Sequence, residues 1–346
     1  MSTEIIAIKS PITANDIPGE IRSLPILILN VHENCNCRCI MCDIWKRPAG
    51  KELELDQVRK YQKDLQKLGV QQVVFTGGEP LLHSHFEDLC TFFRGCSTRI
   101  TLLSTGLLLK KRAQIIADHV DEVIVSLDGP EETHNRIRNI PHAFQLIHEG
   151  IAAIRRLRPN ISIHARSTVQ CRNFAQLRQT VAAAKSLECT SISFLAVDTS
   201  SQAFNRELIW PQETQQQIGL TSAQISTLEE EIELLILHNA VDLQNGYIVE
   251  GPEKLRRIAR YFRSRLGELP SIAPPCNAPW VSAVLEVDGS LRPCFFHRIV
   301  AETREQSLIE ALNSSAAIQF RRTLNIAEDR TCQNCVCSLN YRVRET

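Results

Sequence analysis

The chain has 346 residues, 43% of them apolar, enough for a full-sized α/β core with a smaller module beside it. Lysine plus arginine and aspartate plus glutamate both number 39, so the formal charge balances and nothing calls for nucleic acid or an anionic membrane as partner. Thirteen cysteines, an odd number and mostly clustered, argue against a disulfide scaffold and for a reducing, cytoplasmic compartment.

Residues 1–23 read as an N-terminal extension; the opening run Met1–Ser10 has no basic stretch followed by a long apolar core, so it is not a secretion signal. The apolar runs are strand-length, too short to span a bilayer. The first strand, Leu24–Val31, leads into Cys35, Cys39 and Cys42, spaced Cys-x3-Cys-x2-Cys with Cys37 between them. This spacing suits three corners of a cubane iron–sulfur cluster and leaves one iron open to a substrate. Cys35-x-Cys37-x-Cys39 also fits a tight thiolate clip, and Cys39-x2-Cys42 half a zinc site; on the cluster reading Cys37 is an extra thiol. A helix over Asp56–Leu68 carries Val58, Tyr61, Leu65 and Leu68 on one face and stops at Gly69. The second strand, Val70–Phe75, runs into Gly77-Gly78-Glu79-Pro80, bare backbone at a strand end with a carboxylate beside it.

Further strands follow at Arg99–Leu103, Glu122–Leu127, Ile161–Val169 and Ser191–Leu195, with helical stretches between them. Six βα units in a row predict a parallel sheet with helices outside and a site at the C-terminal strand ends. The cysteine loop follows the first strand and Gly77-Gly78-Glu79 the second, so both fall on that rim. On these two motifs, and over residues 25–196, the chain resembles the radical S-adenosylmethionine (radical SAM) superfamily.

The resemblance implies an α/β fold, a partial (βα)6 TIM-like barrel over residues 24–196, with a 4Fe–4S cluster on Cys35, Cys39 and Cys42. It implies S-adenosylmethionine held by its amino and carboxylate groups on the open iron, with its methionine part along Gly77, Gly78, Glu79 and Pro80. Ser104 after the third strand and Ser126 and Asp128 after the fourth fit the ribose or the methionine carboxylate; bare turn chemistry explains each equally well. A stretch like His134–Arg138 follows the Ser126–Asp128 segment in related families. Arg166 on the fifth strand is a forked donor suited to the cofactor carboxylate.

Residues 197–270 read as connecting helices and a substrate-side loop, with Thr221-x-x-Gln224 a capping box ahead of Ile225, Leu228, Ile232 and Leu235. Residues 271–346 hold a second constellation: Cys276, Cys294, and Cys332, Cys335 and Cys337. Val281–Val287, the Asp288-Gly289 turn and Leu291–Cys294 form a hairpin pattern that brings Cys276 and Cys294 toward one end. Cysteine alone does not separate zinc from iron–sulfur. The order Cys276-x12-Gly289-x4-Cys294 followed by Cys332-x2-Cys335 is similar to the "twitch" version of the SPASM module, a small α+β domain, which implies a second, auxiliary 4Fe–4S cluster on Cys276, Cys294, Cys332 and Cys335, with Cys337 an alternative corner.

The function implied is reductive cleavage of S-adenosylmethionine to a 5′-deoxyadenosyl radical that abstracts hydrogen, with electrons from a flavodoxin or ferredoxin. The outcome is oxidation, epimerisation, elimination or decarboxylation in natural-product or cofactor biosynthesis. A small polar metabolite of sugar, aminocyclitol or nucleoside type is the expected substrate, because only about 23 residues precede the first strand and leave no leader-binding domain for a ribosomal-peptide maturase, the alternative. A Gly-Gly tail typical of molybdopterin-forming relatives is missing. The rival from another class is a non-catalytic iron–sulfur or zinc-binding electron-transfer protein, against which Gly77-Gly78-Glu79 speaks. Asp198, Asn205, Arg206, Glu250, His297 and Arg298 are further polar candidates without an assigned role.

Overall fold

A computed structural model describes residues 19–47, 50–204 and 208–341. Its strands are β1 (Ile26–His32), β2 (Gln72–Gly77), β3 (Arg99–Ser104), β4 (Glu122–Ser126), β5 (Ser162–Val169), β6 (Ser191–Ala196), β7 (Ser282–Leu285), β8 (Ser290–Arg292) and β9 (Ala301–Glu302). All six strands expected from the apolar runs are present, and helical turns follow each of β1 to β6. The expected α/β architecture holds: parallel strands alternating with helices, an open partial barrel, then the C-terminal module. Among the described residues no helix is long and apolar enough to cross a membrane.

Compactness groups the chain into two units, each built from separated stretches: residues 35–47 with 103–272, and residues 19–34 and 50–102 with 273–341. In the second unit β1 is the central strand. It pairs in parallel with β2, Leu29 opposite Phe75, and in parallel with β7, Leu29 opposite Leu285. Leu27, Leu29 and Val31 share one face of the strand and are buried, while Ile28 and Asn30 on the other face are half-buried. The expected hairpin is found, β7 antiparallel to β8 with Val284 opposite Arg292, and β9 adds to it. The parallel seating of β7 on β1 is a long-range pairing that an apolar run does not encode. Phe75 packs edge-to-face on Phe86 and Phe93, at centroid distances of 5.8 and 5.6 Å.

The helix expected over Asp56–Leu68 is instead two short ones, Leu55–Lys60 and Gln62–Lys67, broken at Tyr61. Tyr61 is buried and its hydroxyl donates to Thr303 Oγ1 at 2.6 Å, while Gln57 Nε2 donates to it at 3.1 Å. Burying a tyrosine with its hydroxyl satisfied outweighs an unbroken ladder. Gly69 ends the second helix at φ +62°, the left-handed stop its position predicts.

In the first unit β4, β5 and β6 run parallel, with Val125 opposite Ala165 and Ala165 opposite Ile192. Burial alternates along them. Val123, Val125, Ile163, Ala165 and Val169 are buried, and the other face carries half-buried Glu122, Ser126, His164, Arg166, Thr168 and Ser193. The helix Ser222–His238 opens with the expected capping box, Thr221 Oγ1 accepting from the Gln224 amide and the Gln224 side chain accepting from the Thr221 amide.

Candidate functional site

The cysteine loop after β1 is stitched to the end of the helix Glu131–Arg138. The Arg38 amide donates to Arg138 O at 3.2 Å and the Ile40 amide to Ile137 O at 3.3 Å. A turn joins Cys42 N–H to Cys39 O at 3.3 Å, and Trp45 Nε1 donates to the same carbonyl. Asn36 Oδ1 accepts from Thr105 Oγ1 at 2.9 Å, and Asp43 Oδ2 accepts from Trp210 Nε1 at 2.7 Å. The loop that carries four thiols is therefore fixed at both ends by side chains far away in sequence.

Beside Cys39 lies Arg138, buried, with Nη1 3.5 Å from the Cys39 sulfur and Nη2 2.6 Å from Asp128 Oδ2. A hydrogen bond from the Cys37 thiol, helped by the Arg138 guanidinium against the cost of burial, pushes the Cys39 thiol down from its ordinary value. Cys37, within hydrogen-bonding reach of Cys35 and Cys39 and itself buried, is pushed strongly up. A soft, all-sulfur donor set in which one thiol is already biased to thiolate fits an iron–sulfur cluster.

In the second unit, the end of β2 meets the chain that leads into Cys35. The Gly78 amide donates to His32 O at 2.7 Å and the Glu79 amide to Asn34 O at 2.8 Å. A Cβ on Gly78 would fall 2.0 Å from Asn34 O, and one on Gly77, at φ +126°, 2.5 Å from His32 O. Only glycine permits this approach. His32 Nδ1 accepts from the Asn34 amide at 2.8 Å, so its Nε2 carries the proton and faces Glu52 Oε1 at 3.2 Å. Glu79 is fully buried and its carboxylate accepts from the Leu81 amide at 3.1 Å, capping the turn Pro80–Leu82.

Of the other expected residues, Ser104 is buried and its Oγ accepts from the Gly106 amide at 3.0 Å. Ser126 and Arg166 are register partners on the half-buried face of β4 and β5, and Arg166 Nε stands 3.4 Å from Ser193 Oγ. Asp128 lies beside Arg138, which also reaches the Cys39 sulfur. It is fully buried, and its carboxylate is committed to Arg138 and to the Thr168 amide at 2.9 Å, because a charge without solvent needs an opposite charge in contact.

Asp198 is spent on the Ser200 amide and the Ser201 hydroxyl, Glu250 on the Phe194 amide and Lys254, and Arg298 is exposed. Asn205 and Arg206 lie outside the described residues. Arg138 stood in the sequence only as part of a motif stretch. Gln170, just past β5, carried no signal at all: it is fully buried, and neither atom of its side-chain amide finds a hydrogen-bond partner among the described residues. An orphaned amide at a strand's C-terminal end fits a ligand-facing group.

The C-terminal cysteines also gather. Burial raises Cys294 to about 11, with Cys276 and Cys337 near enough to add; burial raises Cys332 to about 12, with Asp329, Cys294 and Cys276 adding. Cys335 is pushed up by burial and by Cys337. Thiols that oppose one another's ionisation when bare are ones that a shared metal centre would bind as thiolates. His297 joins them, with Nε2 3.5 Å from Cys332 Sγ and 3.7 Å from Asp329 Oδ1.

Comparison with known proteins finds two family models on this chain. The family model of the radical SAM superfamily matches residues 29–184, and that of an iron–sulfur cluster-binding domain, SPASM, matches residues 276–336. Fe-coproporphyrin III synthase of Methanosarcina barkeri is 24% identical over 345 residues, covering 92% of this chain and 84% of that protein. GTP 3′,8-cyclase of Aquifex aeolicus is 30% identical over 143 residues, 36% of this chain and 43% of that one. The chain thus spans less than half of that second relative. SuiB of Streptococcus suis, solved with S-adenosylmethionine, superposes with a TM-score of 0.64 at 12% identity over 93% of this chain and 74% of its own; it has also been solved with the precursor peptide SuiA.

Proposed function

Because the chain belongs to the radical SAM superfamily and carries a SPASM-type domain behind its barrel, we propose that it is a hydrogen-abstracting enzyme acting on a small, hydroxyl-rich metabolite of sugar, aminocyclitol or nucleoside type. Its relatives are enzymes, and its family takes a 4Fe–4S cluster, S-adenosylmethionine and auxiliary iron–sulfur, which speaks against the non-catalytic alternative. When bound, cluster and cofactor supply a 5′-deoxyadenosyl radical able to break an unactivated C–H bond.

Cys35, Cys39 and Cys42 would hold the cluster, with Arg138 Nη1 3.5 Å from the Cys39 sulfur. The segment Gly77–Glu79 would lie along the cofactor, its two glycines letting it pack against His32 and Asn34, and Arg166 would offer a forked donor to the cofactor carboxylate. Cys276, Cys294, Cys332 and Cys335 would hold the auxiliary cluster, and a flavodoxin or ferredoxin would supply electrons. We place the enzyme in the cytoplasm because thirteen cysteines clustered at metal-ligand spacing suit a reducing compartment.

The observation that carries the substrate class is the polar, half-buried face of β4, β5 and β6. There Ser126, at the C-terminal end of β4, is the register partner of Arg166, and Arg166 Nε stands 3.4 Å from Ser193 Oγ. Such a face orients hydroxyl and amino groups rather than a flat apolar ring. Near-full-length similarity to Fe-coproporphyrin III synthase favours a second reading, a tetrapyrrole substrate. SuiB, at 12% identity, shares the fold alone and lends no weight to a peptide.

Anaerobic reconstitution, iron and sulfide counting, and 5′-deoxyadenosine assays with dithionite test this. Stimulated turnover by polyols, aminocyclitols or nucleosides supports the reading. Stimulation by tetrapyrroles or peptides alone transfers the protein to that class.

A further inference from the structure

We propose that His297 is a positioning residue of the auxiliary iron–sulfur centre, donating an Nε2–H···S hydrogen bond to the Cys332 sulfur and thereby raising that cluster's reduction potential. The inference rests on the reading of an auxiliary cluster at the C-terminal cysteines. His297 lies three residues past Cys294 and is buried, with its ring edge-to-face on Phe320 at 4.8 Å. Its Nε2, Asp329 Oδ1 and Cys332 Sγ all lie within 4.8 Å of one another.

Both neighbours of Nε2 are acceptors once ionised, so the tautomer that satisfies them carries its proton on Nε2. Asp329 fixes the geometry from the other side. Its Oδ1 accepts from the Cys332 amide at 2.9 Å, capping the turn Arg330–Gln333 that presents the sulfur. Ring, carboxylate and thiol are thus held in one arrangement by packing and capping, as a group that orients a metal ligand must be. A hydrogen bond to a cluster thiolate stabilises the more negative, reduced state.

Two features argue for a donor rather than a ligand. Cys276, Cys294, Cys335 and Cys337 already lie among the thiols that act on one another or on Cys332, so sulfur corners are not short. The imidazole nitrogen also points at the sulfur itself, as a second-sphere donor does.

The test is an EPR-monitored redox titration of the anaerobically reconstituted full chain, with iron counted in each sample. Wild type is expected to hold about eight irons, two cubanes. His297→Ala is expected to keep them and to lower the auxiliary midpoint potential, and His297→Gln, which retains an N–H donor, to recover part of the shift. An unchanged potential in His297→Ala at full iron content overturns the proposal, as does loss of one cluster's iron in both variants, which would make His297 a ligand. Only about four irons in wild type would overturn the auxiliary-cluster reading and this inference with it.

Discussion

Arg138 decides most at the scale of single residues. Its guanidinium joins the Cys39 sulfur, at 3.5 Å, to the fully buried Asp128, at 2.6 Å. Removing one member of a buried pair leaves an uncompensated charge and costs about 3–5 kcal/mol. Arg138→Met is therefore expected to lose that much stability in urea unfolding of the metal-free protein, while Arg138→Met with Asp128→Asn loses less; equal losses in both would show that the pair is not what the site depends on. His134, one turn earlier, is buried with Nδ1 accepting from the Asp128 amide at 3.2 Å. Burial, and then Arg138, brings its pKa down to about 3. The unfolded imidazole takes a proton near pH 6.5 and the folded one does not, so stability is full above pH 6.5 and declines as pH falls from there toward 3. His134→Gln is expected to flatten that decline between pH 6.5 and 5, read from urea midpoints; an unaltered slope would assign the loss to other groups, such as buried His83, whose pKa burial also lowers.

Among elements, what the sequence made legible is what depends on local pattern. The six strands, the Asp288-Gly289 hairpin and the Thr221–Gln224 capping box follow from alternation, turn chemistry and capping, and all are found. Gly77 and Gly78 announced a close approach, but not that His32 and Asn34 would be the approaching groups. The seating of β7 on β1 joins strands from opposite ends of the chain, and neither it, nor the commitment of Asp128 to Arg138, nor the orphaned amide of Gln170 is specified by local spacing. The break at Tyr61 has the same origin: helical periodicity placed its side chain correctly, but Thr303, 242 residues on, sets the backbone by holding the hydroxyl. Tyr61→Phe is expected to cost about 1 kcal/mol by loss of that buried bond, measured as a lower urea midpoint. No change would mean that the hydroxyl does not anchor the break.

For the molecule as a whole, two cysteine centres lie in different parts of one chain, and their removal should have different consequences. Cys39 sits in the loop after β1, beside Arg138, where the proposed chemistry starts; Cys294 follows β8 in the C-terminal module. If the first centre generates the radical and the second serves substrate turnover, the two functions separate by variant. Cys39→Ala is expected to abolish 5′-deoxyadenosine formation and to leave about four irons, the auxiliary cluster. Cys294→Ala is expected to keep some abortive cleavage of S-adenosylmethionine while losing substrate conversion. Cys294 lies just past β8 of the β7–β8 hairpin, so circular dichroism must accompany the second variant to distinguish lost chemistry from lost fold. Full substrate conversion by a folded Cys294→Ala protein would remove that residue from the auxiliary centre, and cleavage by Cys39→Ala would remove Cys39 from the first.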